Sequence, residues 1–588
     1  MIKSYLYIGM MKIISILFIL LFVFPSKLSA AINPDLNGDG AVDIRDLRQL
    51  IPGFSNIFDY NSLLASFGVY QPVTQGTVYY VSPTGSTGNS GTQSSPWSLG
   101  KANQSAPAGS TVILLPGTYT ENISPPSGTA GNPTIFKASS LYQAVINNKE
   151  ASLQGKSYII ISGIKFQSSG PRWVTAGSAN HITFENCYFH QSWPGGYKAG
   201  DFNGFSYAGT YLTIRGSRFG WWHAGDMLGL QSASNVLIED NDFSQAASGH
   251  IEFGTSRGNF VIRRNLFHNP WDRIAAVESA ATGDDNYLFE DNIIFDSNWD
   301  GSPLPPDASS DPNAPGANQV VKFNTGKGIF RNNLLVGNNK GLDSGTTGMF
   351  YVALDSPNPI FENSRIYHNT IHSNPRSGIS LHDKINSSRD ANNVFKNNVI
   401  SGQGGFDFLV NDSSLAINTY LVSSNILANT GGGSTKVISI SGATKTVAEA
   451  QAQMPGVFKN NLAASPVFVN PGAITQGKAD IANWPTIVGY GDFALTAASP
   501  GKGQAEALTY VTSPVNNSSN LTLADALYFS DGFGVVEGDE IIVGSTRTRV
   551  VRRVDNFNLQ VSPAVTAAVN DRVYLGKFGP GSDIGIKP

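Results

Sequence analysis

The chain is short of charge. Asp, Glu, Lys and Arg make up 14% of its 588 residues, and the formal net charge is −4. That gives no electrostatic case for nucleic acid or an anionic membrane as a partner. It has one cysteine, Cys187, which excludes an internal disulfide framework. After the first thirty residues no apolar run is long enough to cross a bilayer. Helical periodicity is scarce as well. What is plentiful is Gly, at 62 residues, with aromatics at 11%, a composition of strands and turns rather than helices.

The first thirty residues read as a targeting segment. Lys3 and Lys12 precede the apolar run "IISILFILLFVF" (13–24), and "PSKLSAA" supplies small residues for cleavage near Ala30. The run is short for a membrane span. A cleaved signal and a secreted, extracellular protein are expected, with no membrane span left after cleavage.

"DLNGDGAVDIRD" (35–46) places oxygen donors at loop positions one, three, five, nine and twelve: Asp35, Asn37, Asp39, Asp43 and Asp46. Gly40 stands where such a loop turns sharply, and Ala41 would offer its backbone carbonyl. A hard cation needs this crowd of oxygens, so the expected cofactor is Ca2+. "IRDLRQLIPGF" (44–54) is echoed by "IFDYNSLLASF" (57–67), although the second copy lacks its own Asp/Asn loop. Residues 33–69 thereby resemble the dockerin module. The resemblance implies docking to a cohesin-like partner in a polysaccharide-degrading context, or calcium-dependent stability alone. Residues 70–77 read as a linker.

From there on one phrase recurs. It reads "ISGIKF" (161–166), "FENCYF" (184–189), "IRGSRF" (214–219), "IEDNDF" (238–243) and "IRRNLF" (262–267), then "FEDNII", "FRNNLL", "IYHNTI", "FKNNVI" and "VSSNIL" up to residue 427. Its fourth position becomes an unbroken series: Asn241, Asn265, Asn292, Asn333, Asn369, Asn398, Asn425. Spacings run from 23 to 41 residues, with no helical segment between. That period predicts a solenoid of strands, an all-β fold in which equal positions stack about 4.8 Å apart. The first and sixth positions would face inward. The Asn would sit at a bend in left-handed backbone, its amides bonded up the stack as an Asn ladder. A second strand per coil is expected at "DMLGLQ" (226–231), "HIEFGT" (250–255), "RIAAVE" (273–278), "QVVKFN" (319–324), "GISLHD" (378–383) and "FDFLVN" (406–411).

The pattern over 78–505 resembles the right-handed parallel β-helix of pectate-lyase-like proteins. "YYVSPTGSTGNSGTQSSPWSLGKAN" is similar to the entry cap of secreted members. Residues 506–577 alternate as a small antiparallel β module, and 578–588 form a C-terminal tail that would return to the solenoid. A wall of stacked strands suits an extended sugar polymer. With the apolar residues of the second strand inward, His250, Glu252, Lys322, His382 and Asp407 would face out, and Arg273 starts a strand between Glu252 and Lys322. Lys322 is expected as a proton acceptor, Arg273 as a carboxylate clamp and Glu252 as a cation ligand, with His250 and His382 completing the catalytic candidates. Trp221, Trp222 and His223 of "GWWHAGD" would stack on sugar rings.

The expectation is a monomeric polysaccharide-acting protein, a lyase ahead of a glycoside hydrolase. The alternative is a non-catalytic surface or adhesion protein that binds glycans through the same wall.

Overall fold

The computed structural model describes residues 76–168, 172–191, 203–222, 226–246, 249–254, 258–270, 273–277, 286–296, 319–323, 327–337, 348–352, 361–373, 377–381, 391–410, 417–428, 435–471 and 491–587. The expected calcium loop and the expected dockerin-like repeat fall outside them, in a separate unit, Met1–Val69. The fold that follows is that of the second unit.

Strands coil into three parallel walls. The first wall carries the opening half of the repeated phrase, in strands such as Ser234–Glu239, Asn259–Arg263, Asn286–Glu290 and Lys327–Arg331. After the Asn the chain turns into a second, 12-stranded wall that runs from Gly117–Tyr119 to Ile426–Ala428. A further turn leads to the third wall, which includes Gly249–Phe253, Arg273–Val277, Gln319–Phe323 and Ser377–Leu381. Strands Val174–Glu185 and Phe205–Arg215 bend from the third wall into the first, merging the two into one 24-stranded sheet.

The phrase explains the core. Its sixth positions form a column of rings inside the second wall. Phe166, Phe189, Phe219, Phe243 and Phe267 stack at centroid spacings of 5.1, 4.6, 4.6 and 5.0 Å, in the offset geometry that aromatic pairs favour. The first positions, Ile214, Ile238, Ile262, Phe289, Phe330 and Ile366, are buried opposite them.

The Asn series forms a buried ladder. Asn241 Nδ2 donates to Asn265 Oδ1 at 3.0 Å and to the Ile214 carbonyl at 2.9 Å. The same Asn265 Oδ1 accepts the Asn241 backbone N–H at 3.0 Å. This unit repeats through Asn292, Asn333, Asn369, Asn398 and Asn425 to Asn461. One expectation is corrected. The left-handed residue is not the Asn but the one before it: Asp240, Arg264, Asp291, Asn332, His368, Asn397 and Ser424 have φ of 52–58°. The turn there swings the next side chain inward, so the Asn amide lies inside the corner with both hydrogens and both lone-pair sites used.

The solenoid is covered at its sides. Six antiparallel strands between Thr509–Tyr510 and Arg572–Leu575 form a C-terminal sheet. Its apolar face, including Leu521, Phe529 and Val561, packs on an outward apolar row of the first wall, Leu237, Val261, Leu288 and Ile329. The tail does not close an end of the solenoid. Gly585 N donates to Asn397 O at 2.8 Å, Ile586 N to Thr370 Oγ1 at 3.1 Å and Lys587 N to Asn332 Oδ1 at 2.7 Å, so it straps three coils laterally.

Candidate functional site

The third wall aligns residues by register into one row: Thr175, Ser206, Gly229, Glu252, Ala276, Lys322, Tyr351 and Ser380, the last fully buried. Glu252 and Lys322 share this row with only Ala276 between them. Two strand spacings put their backbones roughly 10 Å apart. Thr175, Ser206 and Glu252 are half-buried polar residues.

Arg273 does not join the row. It pairs with Gly249 and Gln319, three residues up-strand of Ala276. Its backbone is therefore about 10 Å from the row along the strand.

Three candidates are corrected. His250 is not on the outer face. It is 0% exposed, with ring centroids 6.1 and 5.9 Å from Phe243 and Phe267. The strand enters the wall with two successive buried residues, His250 and Ile251, which breaks the period of two. Trp222 is 1% exposed and lies 4.8 Å from Trp173, so it is core rather than a sugar platform. Gly204 makes room for that pair, since a Cβ there would strike both indoles within 2.7 to 2.9 Å. Asp407, also expected outside, is 0% exposed; its carboxyl has no hydrogen-bond partner, and burial pushes its pKa well above the usual carboxylate range. His223 and His382 lie outside the described residues, and Trp221, Arg273 and Lys322 are described by backbone alone. Among the described residues no group of His, Cys, Asp or Glu is arranged to hold a metal, and no helix is long and apolar enough to cross a membrane.

The sequence reading passed over a second polar row. On the second wall Lys165, Tyr188, Arg218 and Asp242 occupy consecutive rungs. Lys165 Nζ lies 5.1 Å from the Tyr188 ring centroid, and Tyr142 meets the same ring edge-on at 5.6 Å. The signal was the fifth position of the phrase, which reads Lys, Tyr, Arg, Asp and then turns to Leu266, Ile293 and Leu334. The apolar half is overlaid by Phe468, Phe493, Leu495 and Ile584. The polar half has no place in that cluster.

Comparison with known proteins places the architecture. Over 131 residues the chain is 33% identical to the uncharacterized protein YwoF of Bacillus subtilis (strain 168), covering 19% of this chain and 28% of that one. The chain thus matches well under a third of that relative's length. Among solved structures, pectate lyase Pel9A aligns at 16% identity with a TM-score of 0.37, over 75% of this chain and 94% of its own. The alginate lyase from Paenibacillus sp. str. FPU-7 aligns at 14% with a TM-score of 0.33, over 49% of this chain and 96% of its own. Neither figure assigns a reaction here. The family model for the right-handed β-helix region matches residues 135–294 and 203–448, together more than half of the chain. The chain belongs to the right-handed β-helix family.

Proposed function

We propose that the protein acts on an extracellular polysaccharide laid along the third wall, as a lyase of uronate-containing chains. The observation that carries this reading is the shared register of Glu252 and Lys322, two rungs apart in one row of the third wall. In β-elimination a base removes the proton beside the uronate carboxylate, the carboxylate is neutralised to stabilise the carbanion, and the glycosidic oxygen departs. Lys322 is the base in this reading. Glu252 holds a cation against the carboxylate, and Arg273, off the row, clamps the carboxylate of an adjoining unit. His382 is kept as a proton donor, and Trp221 and His223 as contacts to sugar rings. Incubation with a panel of polyuronates and neutral glycans tests this: unsaturated products absorbing in the ultraviolet are expected from a polyuronate. A panel that yields none overturns the lyase assignment.

The N-terminal segment completes the proposal. The first thirty residues direct secretion. The loop formed by Asp35, Asn37, Asp39, Ala41, Asp43 and Asp46 binds a calcium ion, and the module at 33–69 docks a cohesin-like partner or stabilises the chain when calcium is bound. The second reading, glycan adhesion without turnover, is favoured by one finding: the removal of His250 from the outer face thins the catalytic set. Saturable glycan binding with no product would select it.

A further inference from the structure

The first wall carries a concave feature of its own where its last coils meet the C-terminal sheet. A cleft of about 520 Å3 opens there, well within the roughly 300–1,000 Å3 of small-molecule sites. Two acids line it, and both are already matched. Asp525 holds Arg365 Nε at 2.8 Å and the Leu527 N–H at 2.9 Å. Glu506 lies 3.6 Å from Lys396 Nζ and accepts from Asn460 Nδ2 at 2.8 Å. Two further cations, Lys459 and Arg572, line the same cleft and are exposed. Among the described residues neither pairs with an acid. The cleft therefore presents net positive charge to an incoming group.

Two more features go beyond an anion site. Tyr510 stands opposite Arg572 in the register of the sheet's edge strand and is 48% exposed, a large ring left open at the lining of a cleft. Ser423, at 1% exposure, lines the cleft with a hydroxyl that has no hydrogen-bond partner. A bare inorganic anion uses neither. A buried hydroxyl without a partner is costly unless a ligand completes it, and an open aromatic face suits the apolar face of a sugar ring.

We propose that this cleft is a binding site for a carboxylated saccharide, separate from the third wall. Lys459 and Arg572 take the carboxylate, Tyr510 takes the ring face and Ser423 takes a sugar hydroxyl. The site would retain a uronate chain or its fragments while chemistry proceeds elsewhere, and it does not depend on the lyase reading.

Calorimetric titration of the full chain in a Lys322→Ala background, so that turnover does not consume the probe, tests it. Trigalacturonate and trimannuronate are the probes, with xylotriose as the neutral control and inorganic phosphate as the bare anion. Saturable binding of a uronate trimer is expected, weakened about tenfold or more by Lys459→Gln with Arg572→Gln and again by Tyr510→Ala, with xylotriose silent. All three positions are exposed, so an unchanged melting temperature keeps the comparison clean. Absence of uronate binding, an unchanged affinity in the double variant, or binding of phosphate alone overturns the proposal. Turnover by the Lys459→Gln, Arg572→Gln variant reads the third wall separately, so failure of one site is distinguishable from failure of the other.

Discussion

Arg331 of the solenoid and Asp539 of the C-terminal sheet face each other as a bidentate pair, Nη1 to Oδ2 at 2.6 Å and Nη2 to Oδ1 at 2.5 Å. Arg331 also donates to Glu290 from Nε and Nη2 at 2.8 and 2.6 Å, and to the Tyr367 hydroxyl at 3.0 Å. All five guanidinium hydrogens are used, in a site that is almost fully buried. Breaking one side of such a pair leaves a charge without compensation. Asp539→Asn should therefore cost about 3–5 kcal/mol in urea unfolding and expose the C-terminal sheet to limited proteolysis. Arg572→Gln, at an exposed position, should change stability by less than about 0.5 kcal/mol. Equal effects from the two would show that the clamp contributes nothing.

The Asn ladder makes a sharper prediction. Asn292 Oδ1 accepts two donors from Asn265, and its Nδ2 donates to Asn333 Oδ1 and to Ile262 O. Asn292→Ala strands the buried Asn265 backbone N–H, a penalty of about 1–3 kcal/mol for each buried group left unsatisfied. Asn516→Ala, where the amide only accepts from the exposed Thr566 hydroxyl, should be near neutral. Thermal unfolding of the two variants checks the contrast.

Stability should fall on acidification. His368 stacks on Phe578 of the C-terminal segment at 3.8 Å, with Nδ1 3.3 Å from Gly585 O and Nε2 3.3 Å from Asn397 Nδ2. His372 lies against Phe468 and bonds Ser401 Oγ at 2.9 Å. Burial pulls the first down to about 3, with Lys396 and Lys577 acting in the same direction, and the second down to about 4. Both are neutral in the fold, whereas in the unfolded chain they take up a proton below about 6.5. Their contribution is therefore fully present above that pH. It is lost as pH falls from about 6.5 toward 4 for His372 and toward 3 for His368. The urea midpoint should drop across this window, and His372→Gln should flatten the slope. A pH-independent midpoint between 7 and 4 would contradict this.

For the calcium loop, Asp35→Ala and Asp39→Ala should each abolish calorimetric calcium binding by the full chain. Retained binding in both would remove the loop from the account.

Much of the solenoid was legible because its phrase is periodic. The apolar first and sixth positions recur from coil to coil, and the Asn of Asn241 recurs through Asn425 after Ile164, Cys187 and Ser217 in the first coils. The left-handed position was not legible, because Arg264 and His368 hold it as readily as Asn332 and leave no compositional mark. His250 was misplaced because alternation was carried through a corner where two neighbours both turn inward. The second positions, Glu239, Arg263, Glu290 and Arg331, do show their alternating charge in sequence, and the structure pairs them rung to rung. The third-wall row was only half legible: identity suggested Glu252, Arg273 and Lys322, but only register separates the two that share a row from the one that does not.

The most direct measurement is the initial rate of unsaturated-product release from a polyuronate by Lys322→Ala beside the wild type. A general base contributes about 10²–10⁴-fold, so the variant should lose at least a hundredfold while melting at the same temperature. A well-folded variant with wild-type turnover would contradict the assignment of the third wall as the catalytic face.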